Sequence, residues 1–99
     1  MVGSAAGAPT PATLSAIRNY HVGNVMLTGR SSQGTAHTKT VCDALQRQVS
    51  TDSTYNVPLF VATDQEGGKV QVLSGPGFST MPAALTQGGW TTTSLRSWA

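Results

Sequence analysis

The stretch "VPLFVATDQEGGKVQVL", residues 57 to 73, carries the clearest structural signal of the sequence. Its first part is an apolar run that ends at Asp64, and the apolar residues are continuous rather than alternating with polar ones. Continuous apolar strands are typical of parallel sheets covered on both faces. Pro58 fits the start of such a strand, where no ladder donor is needed. We therefore predict a parallel strand of an α/β sheet, ending at Asp64 and buried on both faces.

An earlier segment, "VGNVMLTG", predicts a second buried strand, because residues 25–27 form a short apolar run between two glycines. Before it, Thr10 is a suitable helix N-cap and Pro11 suits the first helical position. Leu14 and Ile17 follow at helical spacing. A helix is therefore predicted from residue 11 to shortly before this strand, with residues 1–9 as a loop or strand remnant.

Between the two strands lie about thirty residues that contain a second amphipathic helix. From about Thr35 onward, Val41, Cys42, Leu45 and Val49 recur on one helical face, and "STDSTYN" then breaks the pattern. Strand, helix and strand form a βαβ unit, which is expected to be right-handed. After residue 73, "SGPGFSTMP" is predicted to be a loop, and "TTSLRSWA" the start of a third helix, capped by residue 93 or 94.

Composition excludes several classes of protein. The chain has 99 residues, 38% hydrophobic and 10% charged, whereas globular chains carry about 25% charged residues. An apolar chain with so little charge is not a disordered one. The six basic residues are scattered, so no nucleic-acid surface is predicted. No window approaches the roughly 20 apolar residues of a membrane span.

The residues that commonly bind metals are few and separate. Cys42 is the single cysteine, so it forms no internal disulfide, and we expect it to be a buried small hydrophobe. His21 and His37 have no cysteine, histidine or acid at ligand spacing, and we interpret both as ordinary polar residues. No metal site and no cofactor is predicted.

The turn "GRSSQGTAHT" lies where a phosphate-binding loop would lie, between a strand and a helix. Gly29 and Gly34 have the G-x-x-x-x-G spacing, but Thr35 and Ala36 replace the required Lys-Ser/Thr pair. Helix N-terminal amides could still bind an anion weakly. A plain turn is the better interpretation.

Asp64 and Glu66 are two of only four acidic residues. Asp64 falls at the carboxyl end of a strand, where parallel α/β sheets bind ligands. A carboxylate there can accept two hydrogen bonds from vicinal sugar hydroxyls, and the two glycines after Glu66 would permit a sharp turn and a close ligand approach. The alternative is an aspartate that caps the next turn and a Glu66–Lys69 surface pair. Residues i and i+2 of an extended segment point the same way, so the acids suit binding better than glycosidase catalysis.

The segment "VATDQEGGKVQVL…GPGFSTMPAA" resembles the N-terminal barrel domain of family 3 glycoside hydrolases, in the β-N-acetylhexosaminidase branch. The family pattern is an apolar strand, then D-Q-E-G-G-[RK]-V-Q-R, then G-F-x-x-x-P-[SA]-A. "IRNYHVGNVMLTGRS" resembles the family's preceding helix, strand and turn. The similarity runs over about residues 12–90.

The resemblance implies a partial (β/α)8 TIM-type barrel, comprising about the first three βα units. Residues 1–99 would then be one partial domain, incomplete at both ends. Asp64 would be the sugar-binding aspartate, whereas the catalytic nucleophile and acid/base would lie further along the barrel, so no catalytic residue is expected in this chain. Lys69 stands where arginine is commoner, and Val72 where this branch often has a substrate-contacting arginine.

The function implied is exo-acting hydrolysis of terminal β-N-acetylglucosamine from a glycan, with retention. The chain alone is expected to be inactive and, with uncovered sheet edges, to self-associate. The alternative is a small non-catalytic α/β module that binds a carbohydrate or an anion. Members of this branch are cytoplasmic or exported, which leaves the compartment open.

Overall fold

The computed structural model describes residues 1–98 and has a mixed α/β architecture. Three strands form one sheet, β1 (Val2–Ala5), β2 (Asn24–Thr28) and β3 (Phe60–Thr63), and two short strands form a hairpin, β4 (Gln65–Gly67) and β5 (Val70–Gln71). The helices are α1 (Pro11–Tyr20), α2 (Gly34–Gln46), α3 (Thr51–Thr54), α4 (Ala84–Gly88) and α5 (Thr92–Trp98).

The sheet is parallel throughout, and its spatial order β1-β2-β3 is the order of the sequence. Val25 at its centre lies opposite Val2 on one side and Val61 on the other. Helices connect consecutive strands, which confirms the predicted βαβ unit. Three strands do not close a barrel within residues 1–98, so the barrel itself stays a prediction.

Local signals placed the first two helices correctly. The side chain of Thr10 accepts a hydrogen bond from the Thr13 amide at 3.2 Å, and Pro11 begins α1 as predicted. In α2, Val41 and Leu45 are buried on the predicted face. Cys42 is only half-buried, so the expectation of a buried thiol is wrong in degree. It lies one position, about 100° of helical rotation, away from Val41 and therefore reaches the margin of the buried face.

The segment "STDSTYN" ends the long helix, as predicted, and also forms the short helix α3, which was not predicted. Ser50 and Ser53 make a reciprocal capping box, with each side chain accepting a hydrogen bond from the backbone amide of the other. Two satisfied amide donors stabilise a turn that is too short to show hydrophobic periodicity.

The core lies on one face of the sheet, between the strands and α1 and α2. Along β2, Val25 and Leu27 are buried while Asn24 and Thr28 are exposed, so the strand has one covered and one open face. The expectation that β3 is covered on both faces is wrong for residues 1–98, since Phe60 is 66% exposed. The buried apolar residues are Ala6, Ile17, Val25, Leu27, Val41, Leu45, Leu59 and Leu73.

The C-terminal third departs most from the prediction. The hairpin β4–β5 and the helix α4 were not predicted, and α5 is capped by Thr91, whose hydroxyl accepts from the Ser94 amide at 3.2 Å, rather than by Thr93 or Ser94. Neither α4 nor α5 contains a buried residue. The radius of gyration is accordingly 16.0 Å, against about 13 Å for a compact chain of this length.

Candidate functional site

Asp64 is the first residue after β3 and lies exposed at the carboxyl edge of the parallel sheet. Its backbone carbonyl accepts a hydrogen bond from the Val72 amide at 3.1 Å, which fixes the peptide beyond the strand. The neighbouring hydrogen bonds use the Thr63 hydroxyl and the Gln65 amide, and within residues 1–98 none ends on the Asp64 carboxylate. The carboxylate therefore faces solvent with its acceptor sites free.

The alternative interpretation of the acid pair does not hold. The salt bridge within residues 1–98 joins Lys39 and Asp43, both on the surface of α2, and no ion pair connects Glu66 with Lys69. Glu66 lies on β4 and is exposed. Its carboxylate is a solvated surface group that lies two residues from Asp64 and forms no ion pair with Lys69.

Gln65 attaches the site to the loop that follows the hairpin. Its side-chain nitrogen donates to the Leu73 carbonyl at 2.7 Å, and its side-chain oxygen accepts from the Leu73 amide at 3.0 Å. The side-chain amide of Gln65 thus makes the two backbone hydrogen bonds that a neighbouring strand would otherwise make to Leu73. Leu73 is itself buried, so both of its backbone groups require such partners. Sequence reasoning missed this contact, because a lone Gln between two acids gives no signal of it.

Arg30 is a second residue that the sequence did not single out. It follows β2 and reaches the hairpin, donating from Nη2 to the Lys69 carbonyl at 2.7 Å and from Nη1 to the Gln71 carbonyl at 3.1 Å. A planar guanidinium can satisfy two carbonyls in one orientation, which a lysine cannot do. Arg30 therefore joins the carboxyl end of β2 to the segment that immediately follows Asp64.

The glycine pair has a different role from the one predicted. Gly67 and Gly68 have φ of +86° and +58°, which confirms the sharp turn. A Cβ on Gly67 would lie 2.5 Å from the Pro82 carbonyl oxygen, and one on Gly68 would lie 2.8 Å from the Ala83 side chain. The missing side chains admit residues 81–83 of the same chain, so the prediction that they admit a ligand is wrong.

The candidate anion site at the start of α2 is filled by the protein itself. The amides of Gly34 and Thr35 donate to the carbonyls of Ser74 and Pro76 at 3.0 and 2.9 Å. These are donors that a phosphate would need. The plain-turn interpretation of "GRSSQGTAHT" is confirmed.

Both histidines, interpreted above as ordinary polar residues, lie within hydrogen-bond distance of a backbone carbonyl. His21 caps α1 in the left-handed conformation and its Nδ1 lies 3.0 Å from the Ser53 carbonyl, while Nε2 of His37 lies 2.7 Å from the Gly7 carbonyl. Each of these nitrogens must carry the proton to bond to a carbonyl. Residues 1–98 contain no cluster of three or more His, Cys, Asp or Glu side chains that could hold a metal ion.

Val72 and the thiol of Cys42 complete the description of the site and its surroundings. Val72 is half-buried and packs against the core cluster. Burial raises the pKa of the Cys42 thiol above its ordinary value, and the charge of Asp43 adds to this, while Lys39 opposes it.

Across the part of the chain described here, no helix has the length and hydrophobicity that a membrane crossing requires.

The family model described as "Glycosyl hydrolase family 3 N terminal domain" matches residues 2–95. The chain belongs to glycosyl hydrolase family 3. A solved structure similar to this family 3 chain is the "Crystal structure of Beta-N-acetylhexosaminidase from Beutenbergia cavernae DSM 12333". It is 51% identical and superposes with a TM-score of 0.93.

That superposition covers 97% of the family 3 chain and 28% of the Beutenbergia cavernae protein. The chain therefore spans a little over a quarter of the length of this relative. A search of curated proteins gave no match. The resemblance seen in the D-Q-E-G-G-K-V-Q segment is confirmed at the level of the family.

Proposed function

We propose that this family 3 chain is the substrate-binding, N-terminal part of an exo-acting β-N-acetylhexosaminidase, and that Asp64 binds hydroxyls of a terminal N-acetylglucosamine. The observation that carries the proposal is the free Asp64 carboxylate at the carboxyl edge of a parallel sheet, in a chain of this family. Ligands of open and barrel α/β sheets bind beyond this edge. An ionised carboxylate can accept two hydroxyl hydrogen bonds there, each shorter and stronger than a neutral one.

The surroundings of Asp64 support a binding role because hydrogen bonds hold the backbone there and none of them uses the carboxylate. Its carbonyl is fixed by the Val72 amide, Gln65 next to it is bonded twice to Leu73, and Arg30 holds the hairpin from the side of β2. A binding group that is already ordered loses little conformational entropy when the sugar arrives. The same hydrogen bonds therefore order the backbone that carries the acceptor.

The reaction of the whole enzyme would be double displacement. A carboxylate attacks the anomeric carbon, the glycosidic oxygen leaves with a proton from the acid/base, and water then hydrolyses the glycosyl-enzyme with net retention. Two carboxyls must flank the scissile bond for this chemistry. Asp64 and Glu66 lie two residues apart, a spacing that suits binding better than catalysis. The resemblance to family 3 implies that the nucleophile and the acid/base lie further along the barrel, so the chain alone is expected to be inactive.

The test is a hybrid enzyme. Residues 2–95 replace the structurally equivalent segment of the Beutenbergia cavernae protein, to which this chain is 51% identical. The hybrid is expected to hydrolyse a chromogenic aryl β-N-acetylglucosaminide, while the purified 99-residue chain gives no turnover above buffer. Hydrolysis by the chain alone would contradict the absence of catalytic groups, and a folded hybrid without activity would contradict the proposed function.

Stereochemistry tests the mechanism separately from the substrate. Proton NMR of the hybrid reaction is expected to show the β-anomer of N-acetylglucosamine first, followed by mutarotation. Early appearance of the α-anomer would exclude double displacement and leave the binding role of Asp64 standing.

The second candidate function is a small non-catalytic module, and the structure does not support an anion-binding module of this kind. The α2 amides that could have held an anion donate to Ser74 and Pro76 instead. A carbohydrate-binding module would need a sheet that is complete within the chain, whereas β1 and β3 are both edges within residues 1–98. The hexosaminidase proposal is therefore the one we develop.

A further inference from the structure

Two glutamines bind the backbone on either side of β3 in the same way. At the end of α2, the side-chain amide of Gln46 donates to the Leu59 carbonyl and accepts from the Leu59 amide, each at 2.9 Å. Gln65 makes the corresponding pair of hydrogen bonds to Leu73, at 2.7 and 3.0 Å. Both leucines are buried, so their backbone groups need such partners. We call each arrangement a glutamine clamp, one directly before β3 and one directly beyond Asp64.

Residues 72–74 form an inserted segment between Asp64 and the loop that follows β2. The Ser31 amide donates to the Val72 carbonyl at 2.9 Å, and the Val72 amide donates in turn to the Asp64 carbonyl at 3.1 Å. Ser31 also pairs with Leu73 as a parallel bridge. The backbone of Asp64 is therefore attached to the end of β2 through the inserted segment.

The clamp of Gln65 fixes the chain immediately beyond Asp64. Before Asp64, Thr63 pairs with Leu27 and its hydroxyl donates to the Leu27 carbonyl at 3.2 Å. After Asp64, the Gln65 side chain holds Leu73 in the inserted segment. Because peptide groups are planar, fixing them on both sides of a residue fixes its φ and ψ and hence the direction of its Cα–Cβ bond. The Asp64 side chain leaves the backbone in a direction that the Gln65 clamp helps to set.

We propose that Gln65 is a positioning residue for Asp64, whose side-chain amide, by holding Leu73, sets the direction from which Asp64 approaches the sugar. The inference rests on the function proposed above for Asp64. Gln65 is half-buried, and both its side-chain oxygen and its side-chain nitrogen bond to Leu73, so its role is to hold backbone. A displacement of about 1 Å in a substrate-positioning group can cost about 100-fold in rate, so such a residue affects turnover without contacting the substrate.

A double-mutant cycle in the hybrid enzyme tests this role. Gln65→Ala is expected to lower kcat/KM for the aryl β-N-acetylglucosaminide about tenfold, because Asp64 then meets the sugar hydroxyls at a less favourable angle. In an Asp64→Ala background, the same substitution should change kcat/KM less than about twofold, since the group that Gln65 positions is already absent. A residue that only stabilised the domain would lower kcat/KM equally in both backgrounds.

Gln46→Ala is the matched control, because it removes the same kind of clamp from the other end of β3. It should destabilise the hybrid as well, but leave kcat/KM unchanged. If Gln65→Ala does not fold, Gln65→Glu takes its place in the cycle, since an ionised glutamate keeps the size of the side chain and lacks the donor for the Leu73 carbonyl. Equal losses of kcat/KM on removing either clamp would overturn the inference.

The cycle also separates this inference from the proposed function. If Asp64→Ala alone leaves kcat/KM intact, the binding role of Asp64 is wrong and the positioning role of Gln65 falls with it. If Asp64→Ala lowers kcat/KM but the Gln65 substitution has no effect, or the same effect in both backgrounds, the positioning role alone is wrong.

Hydrogen exchange in the 99-residue chain checks the geometry without any substrate. Gln65→Ala is expected to quicken exchange about tenfold at the amides of Val72 and Leu73, because the inserted segment loses its clamp. Gln46→Ala should quicken exchange at the Leu59 amide instead. Unchanged protection at Val72 in Gln65→Ala would contradict the inference, since the inserted segment would then hold Asp64 without the clamp.

Discussion

At the scale of single residues, the candidate site is built from side chains that bond to backbone. Arg30, Gln65 and Gln71 all donate to carbonyls around the hairpin, and none of them contacts the Asp64 carboxylate. Asp64 could be predicted as a candidate from the position of the strand end. The residues that hold it could not, because each contact joins positions distant in sequence or depends on a turn that has no periodicity.

Gly67 allows a test of the tight approach between the hairpin and residues 81–83. Gly67→Ala is expected to lower the free energy of unfolding by about 1 to 3 kcal/mol, since a side chain at positive φ is strained and the new Cβ would meet the Pro82 carbonyl. Gly23→Ala is the matched control, with ordinary φ and open space around the added Cβ. Thermal unfolding of both variants measures the difference, and equal midpoints would contradict the tight contact.

Cys42 allows a test by pH. Because burial raises the pKa of its thiol, the thiol stays protonated to higher pH in the folded chain than in the unfolded chain. The rate of alkylation by iodoacetamide is measured between about pH 7 and 10. In native buffer this rate should begin to rise at a higher pH than in urea.

The sign for stability follows from linkage. A raised folded pKa gives a contribution that is fully present below the unfolded thiol pKa and is lost as the pH rises through the folded value. At alkaline pH the free energy of unfolding should therefore fall less in Cys42→Ser than in the unmodified chain. Identical alkylation profiles in buffer and in urea would contradict the burial of the thiol.

At the scale of elements, prediction succeeded where a signal was local. The helix α1 was predicted from Thr10 and Pro11 at its start, and α2 from the spacing of Val41 and Leu45, which are buried as expected. The hairpin β4–β5 was missed because it is only five residues in two short strands and is held by Arg30 from 39 and 41 residues away. Long-range hydrogen bonds leave no periodicity in the sequence for such a prediction to use.

The contact of Arg30 with the hairpin predicts a local change in dynamics. Arg30→Ala removes two hydrogen bonds from a charged donor, each worth about 1.5 to 3 kcal/mol when buried and less at this exposed position. Hydrogen exchange at the Val72 amide, which bonds to Asp64, should quicken about tenfold. Arg30→Lys should restore this protection only in part.

The control for Arg30 is Arg47→Ala, which removes another exposed arginine at the end of α2. Exchange at Val72 should not change in this variant. A uniform increase along the whole chain, rather than one confined to the hairpin, would show that Arg30 acts on global stability instead.

At the scale of the whole molecule, one face of the sheet is covered and the other is open. The expectation of two covered faces came from the continuous apolar run of β3, and it failed because α1 and α2 both pack on the same side. Within residues 1–98, Phe60 on the other side is exposed, and Met26 and Ala62 beside it are only half-buried. If the predicted barrel is correct, that face would line its interior, which is filled by side chains from several strands.

The proposed function gives Asp64 the sugar and places the catalytic groups elsewhere, and kcat/KM of two variants of the hybrid enzyme separates these roles. Asp64→Ala should lower kcat/KM for the aryl β-N-acetylglucosaminide by about 100-fold or more, because two charge-assisted hydrogen bonds to the sugar are lost. Asp52→Ala, an exposed aspartate on α3, should leave kcat/KM unchanged. A hybrid in which Asp64→Ala retains the full kcat/KM would contradict the account.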